Sequence, residues 1–216
     1  MSDLNKINEP QRNLWLGEFG DEYLVRNSDF EEINENYKKE TGIGIDDIFK
    51  KYFAKIDKNS SILEVGCNVG LNLNLLQRLG FTNLTGLELN PKTCEIARNN
   101  NPGIKFINSP IETFESKDKY DVVFTTVFLI HLNPGILPAV VKKIILLSKE
   151  WIFGLEYFSE KPVEVKYRGL DETLFKQDFM KLFLNENPEL EIAKEEKIHY
   201  KKENLTDTVY LLRKNK

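Results

Sequence analysis

Two acidic residues and a glycine-bearing turn have the types and spacing best suited to chemistry. Glu64 lies in the apolar run Ile62–Val65, which is followed by Gly66 and Gly70 with Asn68 between them. Glycine lets a backbone approach a ligand closely, and a helix that begins after such a turn presents free N–H groups beside it. The stretch therefore predicts a site for a nucleotide-like cofactor.

The glycine spacing and a second carboxylate indicate which cofactor fits. A dinucleotide fingerprint needs G-x-G-x-x-G, but Asn68 replaces one glycine and the third is missing. Glu64 is unfavourable beside a phosphate, although it could orient a cationic ligand. Glu88 ends the next apolar run, 22 positions after Gly66, where a carboxylate can bind both hydroxyls of a ribose. The alternative for Glu88 is an exposed strand-end charge. The pattern disfavours NAD.

These residues resemble the motifs of the class I methyltransferases that use S-adenosylmethionine. The sequence EVGCNVG at 64–70 corresponds to the family's E/D-x-G-x-G-x-G, with Asn68 as the departure, and GLELN at 86–90 carries the acidic ribose ligand. The resemblance covers residues 56–158. It implies a Rossmann-like α/β fold with a mostly parallel seven-stranded sheet, helices on both faces and S-adenosylhomocysteine as a product.

The resemblance also implies a role for each residue of the cofactor site. Glu64 and the turn at 66–72 would hold the methionine part, Glu88 the ribose, and the turn after the third strand the adenine. The residues assigned to the cofactor are Glu64, Gly66, Cys67, Asn68, Gly70, Asn72, Glu88, Leu89, Ser109, Ile111 and Thr125. Thr125 and Thr126 would line the methyl-transfer face, with Thr126 on the acceptor side.

A narrower resemblance covers nearly the whole chain. Residues 17–23 (GEFGDEY), 129–134 (LIHLNP), 162–169 (PVEVKYRG) and 174–179 (LFKQDF) are similar to the methyltransferases associated with pseudaminic acid biosynthesis. That family is named largely from its neighbourhood among genes for nonulosonic-acid sugars. The resemblance implies a role in sugar biosynthesis, with an acidic nonulosonic sugar or its nucleotide form as the acceptor.

Three residues are candidates for catalysis at the acceptor end. His131 follows the fourth strand, where a neutral imidazole can take a proton from a hydroxyl or a protonated amine. Glu156 and Tyr157 end the fifth strand and are predicted to face the same cleft. The alternative for each is a structural role.

Two tyrosines and two arginines are candidates for ligand binding. Tyr167 and Arg168 lie in the irregular segment where a class I methyltransferase commonly builds its acceptor pocket, and arginine suits a carboxylate or phosphate. Tyr23 and Arg26 are predicted to lie on an N-terminal lid and to bind the cofactor, turned towards a carboxylate. The alternatives are a surface salt bridge for Arg168 and simple helix packing for the N-terminal segment.

Composition limits the setting in which the protein works. The 216 residues are 41% hydrophobic and 30% charged, with a net charge of −4, which argues against a nucleic-acid partner. Cys67 and Cys94 have neither metal-ligand spacing nor a disulfide framework, which indicates a reducing cytoplasm. No run approaches the roughly 20 apolar residues that span a bilayer. We predict a cytoplasmic monomer or homodimer with a small-molecule substrate and no metal, nucleic-acid or membrane partner.

The order of predicted elements indicates how the site is assembled. Apolar periodicity predicts strands at 61–65, 84–89, 104–107, 120–125 and 151–158, and helices at 14–27, 45–56, 71–79, 91–99 and from 133, the last kinked by Pro138. A loop at 159–170, a helix at 171–184 and strands at 189–200 and 208–213 follow. This alternation predicts a parallel sheet wrapped by helices, with ligands at the carboxyl ends of its strands.

The sequence predicts two parts and one leading function. Residues 1–57 are expected to form a helical lid or cap, and residues 58–216 a methyltransferase domain with an acceptor-pocket insert near 159–185. The leading function is methyl transfer to oxygen or nitrogen of a small polar acceptor. One alternative, an NAD-dependent oxidoreductase, is opposed by the missing glycine and by Glu64. The other, a non-catalytic cofactor-binding module in a sugar-biosynthesis complex, is opposed by Glu88 and His131.

Overall fold

A seven-stranded sheet forms the centre of the protein. The computed structural model describes residues 6–215, apart from the side chains of residues 170–172. The strands, including a separate pair, are β1 (Ser61–Val65), β2 (Asn83–Glu88), β3 (Lys105–Asn108), β4 (Tyr120–Thr126), β5 (Ser148–Tyr157), β6 (Val163–Tyr167), β7 (Leu170–Lys176), β8 (Leu190–His199) and β9 (Thr206–Lys214). The sheet order is β3-β2-β1-β4-β5-β9-β8. Strands β1 to β5 are parallel to one another, and β9 is antiparallel to both of its neighbours, β5 and β8. The predicted mostly parallel Rossmann-like sheet is confirmed.

Eight α-helices are assigned in the described part of the chain. They are α1 (Glu9–Leu16), α2 (Glu18–Arg26), α3 (Phe30–Thr41), α4 (Ile45–Tyr52), α5 (Leu71–Arg78), α6 (Pro91–Asn100), α7 (Leu137–Leu147) and α8 (Phe179–Glu186). Asn90 caps α6, because its Oδ1 accepts the N–H groups of Lys92 and Thr93 at 3.0 and 3.3 Å. None of these helices combines the length and the apolar composition needed to cross a membrane.

Alternate residues of the central strands feed two cores, one on each face of the sheet. Leu63 of β1 and Val123 of β4 belong to the core that α7 and α8 cover, whereas Phe124 belongs to the core that α4, α5 and α6 cover. In the second core, Phe49 of α4 packs edge-to-face on Phe153 of β5, with ring centroids 5.4 Å apart. α4 lies within residues 1–57, which are predicted to form a lid, but its own position is set by the core that it shares with the sheet. The lid as a whole stays a prediction.

The antiparallel strand β9 brings an additional segment to the ligand edge. The parallel strands β1 to β5 end at one edge of the sheet, and β9 begins there because it runs in the opposite direction. Tyr157, the last residue of β5, is accordingly paired with Asp207 near the start of β9. The end of β5 and the start of β9, which are far apart in sequence, therefore meet at the ligand edge of the sheet.

The segment after β5 differs from the prediction of a loop at 159–170 and a helix at 171–184. It forms the antiparallel hairpin β6–β7, followed by α8. The turn residues Arg168 and Gly169 have φ of +52° and +84°, and positive φ at both central positions is typical of the tight turns that join twisted strands. Val163 and Val165 alternate with charged residues, which is the period of a strand.

Two helix predictions were also wrong in their bounds. The predicted helix at 14–27 is two helices, α1 and α2, which Gly17 separates. The helix expected from Asn133 begins at Leu137, so Pro138 lies in its first turn. The N–H that a proline lacks would have had no partner within the helix at this position. Pro138 therefore gives no cause for the expected kink.

Candidate active site

A cavity of about 340 Å³ lies at the carboxyl ends of the parallel strands, within the size range of small-molecule sites. Turns after β1 to β5 form one wall, and α1, α2 and α3 contribute to the other. The predicted site residues that line it are Tyr23, Glu64, Gly66, Cys67, Asn68, Asn72, Glu88, Leu89, Ser109, Ile111, Thr126, His131 and Tyr157. Those that do not line it are Arg26, Gly70, Thr125, Glu156, Tyr167 and Arg168.

The turn after β1 is built from three residues with left-handed backbone. Gly66, Asn68 and Gly70 have φ of +73°, +49° and +80°. Glycine adopts this conformation without steric cost, and asparagine is among the few other residues that adopt it readily. Asn68 therefore has the backbone conformation that a glycine at its position could supply. The N–H groups of Gly66 and Cys67 both donate to the carbonyl of Leu87, at 2.9 and 3.0 Å, which ties the turn to β2.

Packing explains the other small residues of the turn. A Cβ at Gly66 would collide with the ring of Phe128, and one at Gly70 would collide with the ring of Phe106. Gly70 shapes the turn at the start of α5 and does not line the cavity, so its predicted contact with the cofactor stays a prediction. The side chain of Cys67 belongs to the core beneath the turn.

Glu88 holds the end of β2 against the turn. Its Oε2 accepts the N–H of Asn68 at 2.9 Å, and its Oε1 accepts the N–H of Asn90 at 2.8 Å. Burial raises the pKa of Glu88, and these backbone hydrogen bonds oppose the rise. Each oxygen can accept a further hydrogen bond. The position therefore fits a ribose, whose contact with Glu88 stays a prediction.

Glu64 is buried beside the turn with one oxygen unsatisfied. Its Oε1 accepts from Asn72 Nδ2 at 2.8 Å and from Thr126 Oγ1 at 3.3 Å. Its Oε2 has no hydrogen-bond partner among the described residues. Burial raises the pKa of Glu64 to about 8, and the bonds from Asn72 and Thr126 oppose that rise. A cationic ligand group would stabilise this carboxylate.

The turn after β3 closes the cavity on the side predicted to hold adenine. The N–H of Ser109 donates to the carbonyl of Glu88 at 3.0 Å, and the side chain of Asn108 donates to the carbonyls of Glu88 and Leu89 at 2.9 and 2.7 Å. Ile111 is buried in the same turn. These bonds place Leu89, Ser109 and Ile111 next to the predicted ribose ligand.

His131 lies at the other end of the cavity, in a 3₁₀ turn at Leu129–His131. Its Nδ1 is 3.4 Å from the carbonyl oxygen of Thr173. Because a carbonyl oxygen can only accept a hydrogen bond, this contact assigns the proton of the neutral imidazole to Nδ1 and leaves Nε2 unprotonated. Trp15 packs edge-to-face on its ring at 4.7 Å. Burial lowers the pKa of His131 to about 4. The imidazole is therefore neutral at pH 7, as the predicted proton acceptor requires.

Glu156 does not line the cavity, contrary to the expectation that it faces the cleft, and its catalytic role stays a prediction. Its side chain is 1% exposed, and its Oε1 accepts the N–H groups of Phe128 and Leu129, both at 3.2 Å. Successive strand residues point to opposite faces, so Tyr157 lines the cavity while Glu156 supports the 3₁₀ turn that carries His131. Thr125 is buried beside Glu156 and does not line the cavity either, so its predicted cofactor contact has no support from the geometry.

Neither predicted arginine lines the cavity. Arg26 pairs with Glu22 of the same helix at 3.1 Å. Arg168 is exposed at the tip of the β6–β7 hairpin, with its guanidinium 5.7 Å from the ring centroid of Tyr167. Tyr167 packs on the ring of His131 at 6.3 Å and does not line the cavity itself. The geometry therefore gives no support to the predicted ligand contacts of Arg26, Tyr167 and Arg168, which stay predictions.

Side chains of α1 and its neighbours connect the N-terminal helices to the ligand edge. Asn90 Nδ2 donates to the carbonyl of Trp15 at 3.0 Å. The side chain of Asn8 donates to Glu112 at 2.6 Å and accepts the N–H of Asn133 at 3.1 Å. One helix thus contacts the loops after β2, β3 and β4. Sequence reasoning missed Asn8, because an isolated asparagine before a helix carries no signal for such a contact.

Three aromatic residues of the two N-terminal helices form one cluster. The ring of Trp15 contacts those of Phe19 and Tyr23 edge-to-face, with centroids 5.2 and 5.0 Å apart. Tyr23 also lines the cavity. Burial, followed by the charges of Tyr167 and Tyr157, raises its pKa, so the phenol stays protonated.

A further polar group, missed by sequence reasoning, lies at the β5 end of the cavity. Tyr37 and Tyr200 line the cavity, and their hydroxyls donate to Asp207 Oδ2 at 2.8 and 3.2 Å. Asp207 is fully buried, and burial raises its pKa to about 6. Tyr37 belongs to α3, Tyr200 to the turn between β8 and β9, and Asp207 to β9. The one available signal was an aspartate directly before the apolar run at 208–212.

Known proteins share this domain and fold. Residues 62–150 match the model of a methyltransferase domain. The magnesium protoporphyrin IX methyltransferase of Synechocystis PCC 6803, solved with S-adenosylhomocysteine, has a TM-score of 0.70 at 14% identity, over 94% of this chain and 97% of that one. The 1,6-didemethyltoxoflavin-N1-methyltransferase of Burkholderia thailandensis has a TM-score of 0.65 at 13% identity, over 93% and 91%. No curated protein matches the sequence significantly.

The fold by itself does not specify the reaction. The [4+2]-cyclase SpnF shares it with a TM-score of 0.63 at 12% identity, over 79% of each chain. The matched domain model is more specific, because it spans the turn with Glu64 and the strand that ends at Glu88. Residues 62–150 therefore match a methyltransferase domain, and the chain as a whole has the fold of methyltransferases solved with S-adenosylmethionine or S-adenosylhomocysteine.

Proposed function

We propose that this protein transfers a methyl group from S-adenosylmethionine to an oxygen or nitrogen atom of a small polar acceptor. The observation that carries the proposal is the division of the cavity into two ends. Glu64, Glu88 and the turn after β3 line one end, and His131 with Tyr157 lines the other. The first end suits a cationic nucleoside, and the second offers polar groups to a separate substrate.

The residues at the first end fit S-adenosylmethionine. The buried Oε2 of Glu64, which has no partner in the described part of the chain, suits the amino group of the methionine part. Glu88 suits the ribose hydroxyls, and Ser109 with Ile111 suits the adenine. When bound, S-adenosylmethionine supplies an activated methyl group on a positively charged sulfur.

Because the donor is already activated, alignment of the acceptor should supply most of the rate. His131 is neutral and lines the cavity, so it is suited to orient a hydroxyl or an amine, whereas its lowered pKa makes it a weak proton acceptor. We expect His131→Ala to lower turnover while leaving the affinity for S-adenosylhomocysteine nearly unchanged. Equal losses of turnover and of cofactor affinity in calorimetry would exclude this role.

The acceptor class proposed from the sequence is an acidic nonulosonic sugar or its nucleotide form, as in pseudaminic acid biosynthesis. This acceptor class is supported by the resemblance to that family. The geometry adds no support, because Arg168, the residue expected to bind an acidic group, does not line the cavity. The same resemblance, the net charge and the two unpaired cysteines support action in the cytoplasm, as a monomer or homodimer. The proposed lid of residues 1–57 is supported by the contacts of Asn8 and Trp15.

The test has a binding step and a turnover step. We expect calorimetry to show binding of S-adenosylhomocysteine and none of NAD; the reverse would favour an oxidoreductase. Mass spectrometry of candidate acceptors incubated with the protein and S-adenosylmethionine should then show the gain of one methyl group. The panel consists of nonulosonic acids, their nucleotide forms and amino sugars. Tight cofactor binding without turnover of any compound would favour the non-catalytic module.

A further inference from the structure

The buried carboxylate of Asp207 has no role in the cofactor end of the cavity. Its side chain is fully buried at the ligand edge, where Oδ2 accepts the hydroxyls of Tyr37 and Tyr200. Its Oδ1 is buried and has no hydrogen-bond partner among the described residues. Burying a charge is costly unless it is paired or fully hydrogen-bonded. Asp207 can therefore accept a further proton or hydrogen bond.

The hydrogen bonds to Asp207 determine what the two phenols offer a ligand. A phenol has one proton to donate and lone pairs to accept with. Because Tyr37 and Tyr200 both donate to Asp207, only their lone pairs remain for a ligand in the cavity. A ligand group that carries protons fits such a site, whereas a carboxylate would face lone pairs and a nearby negative charge.

The aromatic rings around Asp207 also favour a positive charge. The ring of Tyr200 is nearly perpendicular to those of Tyr37 and Tyr157, with centroids 5.9 and 6.5 Å away. Aromatic faces attract ammonium groups. The ammonium group of Lys176 already lies 5.1 Å from the ring centroid of Tyr157, and burial lowers its pKa.

Tyr37, Tyr200 and Asp207 lie on the acceptor side of the cavity. The residues suited to the cofactor follow β1, β2 and β3, which form one half of the sheet, whereas Tyr157 and Asp207 belong to β5 and β9 in the other half. Tyr23 lies between the two ends, because the charges of both Glu88 and Tyr157 act on its phenol. An acceptor held by Tyr37 and Tyr200 is thus on the far side of β4 from the ribose site.

We propose that Tyr37, Tyr200 and Asp207 form the acceptor subsite, which binds a protonated amino group, and that Asp207 is a positioning residue that receives the proton this group must lose. The inference rests on the proposed function and narrows its acceptor to an amine. It differs from the acidic-sugar proposal in predicting that a positive group, rather than a carboxylate, is recognised here.

The proton and electron transfers balance through a phenol. Tyr200 takes one proton from the ammonium group and passes its own to Asp207. The freed nitrogen lone pair forms a bond to the methyl carbon as the carbon–sulfur bond breaks, and the electron pair of that bond stays on sulfur. The product is a protonated secondary amine, and Asp207 then releases its proton to solvent. An amine is favoured over a hydroxyl because an ammonium group is far more acidic than an alcohol.

The charge state of Asp207 makes ligand binding depend on pH. Its pKa is raised to about 6, first by burial, so the carboxylate that binds an ammonium group is lost as the pH falls below that value. The other titratable groups that act on this site are Tyr37, Tyr157, Tyr200, Glu156, Lys176 and Glu203. A matched Asp207→Asn variant separates the contribution of Asp207 from theirs.

The test uses three sugars that differ in charge, titrated by calorimetry into the protein saturated with S-adenosylhomocysteine. D-glucosamine carries an ammonium group, N-acetyl-D-glucosamine is its neutral counterpart, and D-glucuronate carries a carboxylate. We expect D-glucosamine to bind at least about tenfold more tightly than the other two at pH 7.5, since a charge-assisted contact is worth about 1.5–3 kcal/mol and about 1.4 kcal/mol is tenfold. We also expect its affinity to fall at pH 5.

Variants connect the binding to the named residues. Asp207→Asn and Tyr200→Phe should each weaken D-glucosamine binding about tenfold, and Asp207→Asn should remove the pH dependence. Tyr52→Phe is the control, because the Tyr52 hydroxyl bonds to the carbonyl of Val209 at 3.2 Å and does not line the cavity. If Asp207→Asn does not fold, Tyr37→Phe and Tyr200→Phe, which keep the carboxylate, decide the matter.

The outcomes distinguish this inference from the proposed function. Absence of S-adenosylhomocysteine binding in the unmodified protein would contradict the proposed function. Normal S-adenosylhomocysteine binding without D-glucosamine binding would overturn the amine subsite alone. Equal affinity for D-glucuronate, or unchanged affinity in both Asp207→Asn and Tyr200→Phe, would also overturn it.

Discussion

At the scale of single residues, Asn68 explains how the turn departs from the methyltransferase motif that it resembles without losing its shape. Its left-handed φ of +49° is one that asparagine tolerates. Its N–H also donates to Glu88, so the backbone at this position fixes the carboxylate suited to the ribose. The substitution of glycine by asparagine is therefore conservative for the backbone.

We predict that Asn68→Gly keeps both stability and cofactor affinity, whereas Asn68→Val lowers both. A β-branched residue held in the left-handed region costs about 1–3 kcal/mol. Urea unfolding should show this loss for Asn68→Val, and calorimetry should show weaker S-adenosylhomocysteine binding. Equal stability of the two variants would mean that the turn can relax at this position.

Glu64 should make the stability of the ligand-free protein depend on pH. Its folded-state pKa, about 8, lies above its ordinary value because of burial. Its contribution to stability is therefore fully present in acid, below the unfolded pKa of about 4.3, and is lost as the pH rises towards 8.

We predict that Glu64→Gln flattens this decline, by at most about 1.4 kcal/mol for each pH unit. Thermal unfolding of both proteins between pH 5 and pH 8 measures the difference, and other titrating groups cancel in the comparison. The same variant should bind S-adenosylhomocysteine more weakly, because the carboxylate for its amino group is gone. Parallel pH curves for the two proteins would contradict the assigned ionisation.

At the scale of elements, the 3₁₀ turn at Leu129–His131 depends on a side chain from another strand. Glu156 of β5 accepts two backbone N–H groups at the start of that turn. A buried donor left without a partner costs about 1–3 kcal/mol. The position of His131 in the cavity therefore depends on Glu156, although the two residues are not in sequence proximity.

We predict that Glu156→Ala lowers the free energy of unfolding by about 2–5 kcal/mol, because two N–H groups lose their acceptor. Glu156→Gln retains an oxygen at this position and should lose much less. Urea unfolding of the two variants measures the contrast. A Glu156→Gln variant that folds normally but is inactive would instead restore a chemical role for this carboxylate.

The sequence predicted the parallel half of the fold well, because each strand there is a short apolar run followed by a helical pattern. It also placed Glu64 and Glu88 in one cavity, because both lie at or near the ends of parallel strands, while their contacts with the cofactor stay predictions. The β6–β7 hairpin was missed because its exposed strands carry many charged residues. Asp207 was missed because only the antiparallel pairing of β9 with β5 places it at the ligand edge.

At the scale of the whole molecule, the N-terminal helices contact loops from several strands of the sheet. Asn8 bonds to the loops after β3 and β4, and Asn90 bonds to the end of α1. Ligands in the cavity would add contacts to the same wall. We predict that S-adenosylhomocysteine slows hydrogen–deuterium exchange of α1 and α2.

Strand β8 is the internal control for that measurement, because it lies at the sheet edge furthest from β3. Its exchange should be unchanged by the ligand. Equal protection of β8 and of the N-terminal helices would indicate global stabilisation. Protection limited to the turns after β1 and β2 would exclude the helices as part of the closed site.

The contacts of α1 have a consequence for the order of events in turnover. The same helix bonds to the loop beside the predicted adenine and packs, through Trp15, on His131 at the acceptor end. If it must move for either ligand to enter, the two cannot exchange independently. We therefore expect a compulsory sequence in which the nucleoside binds first and leaves last, with S-adenosylhomocysteine as a competitive inhibitor of the methyl donor alone.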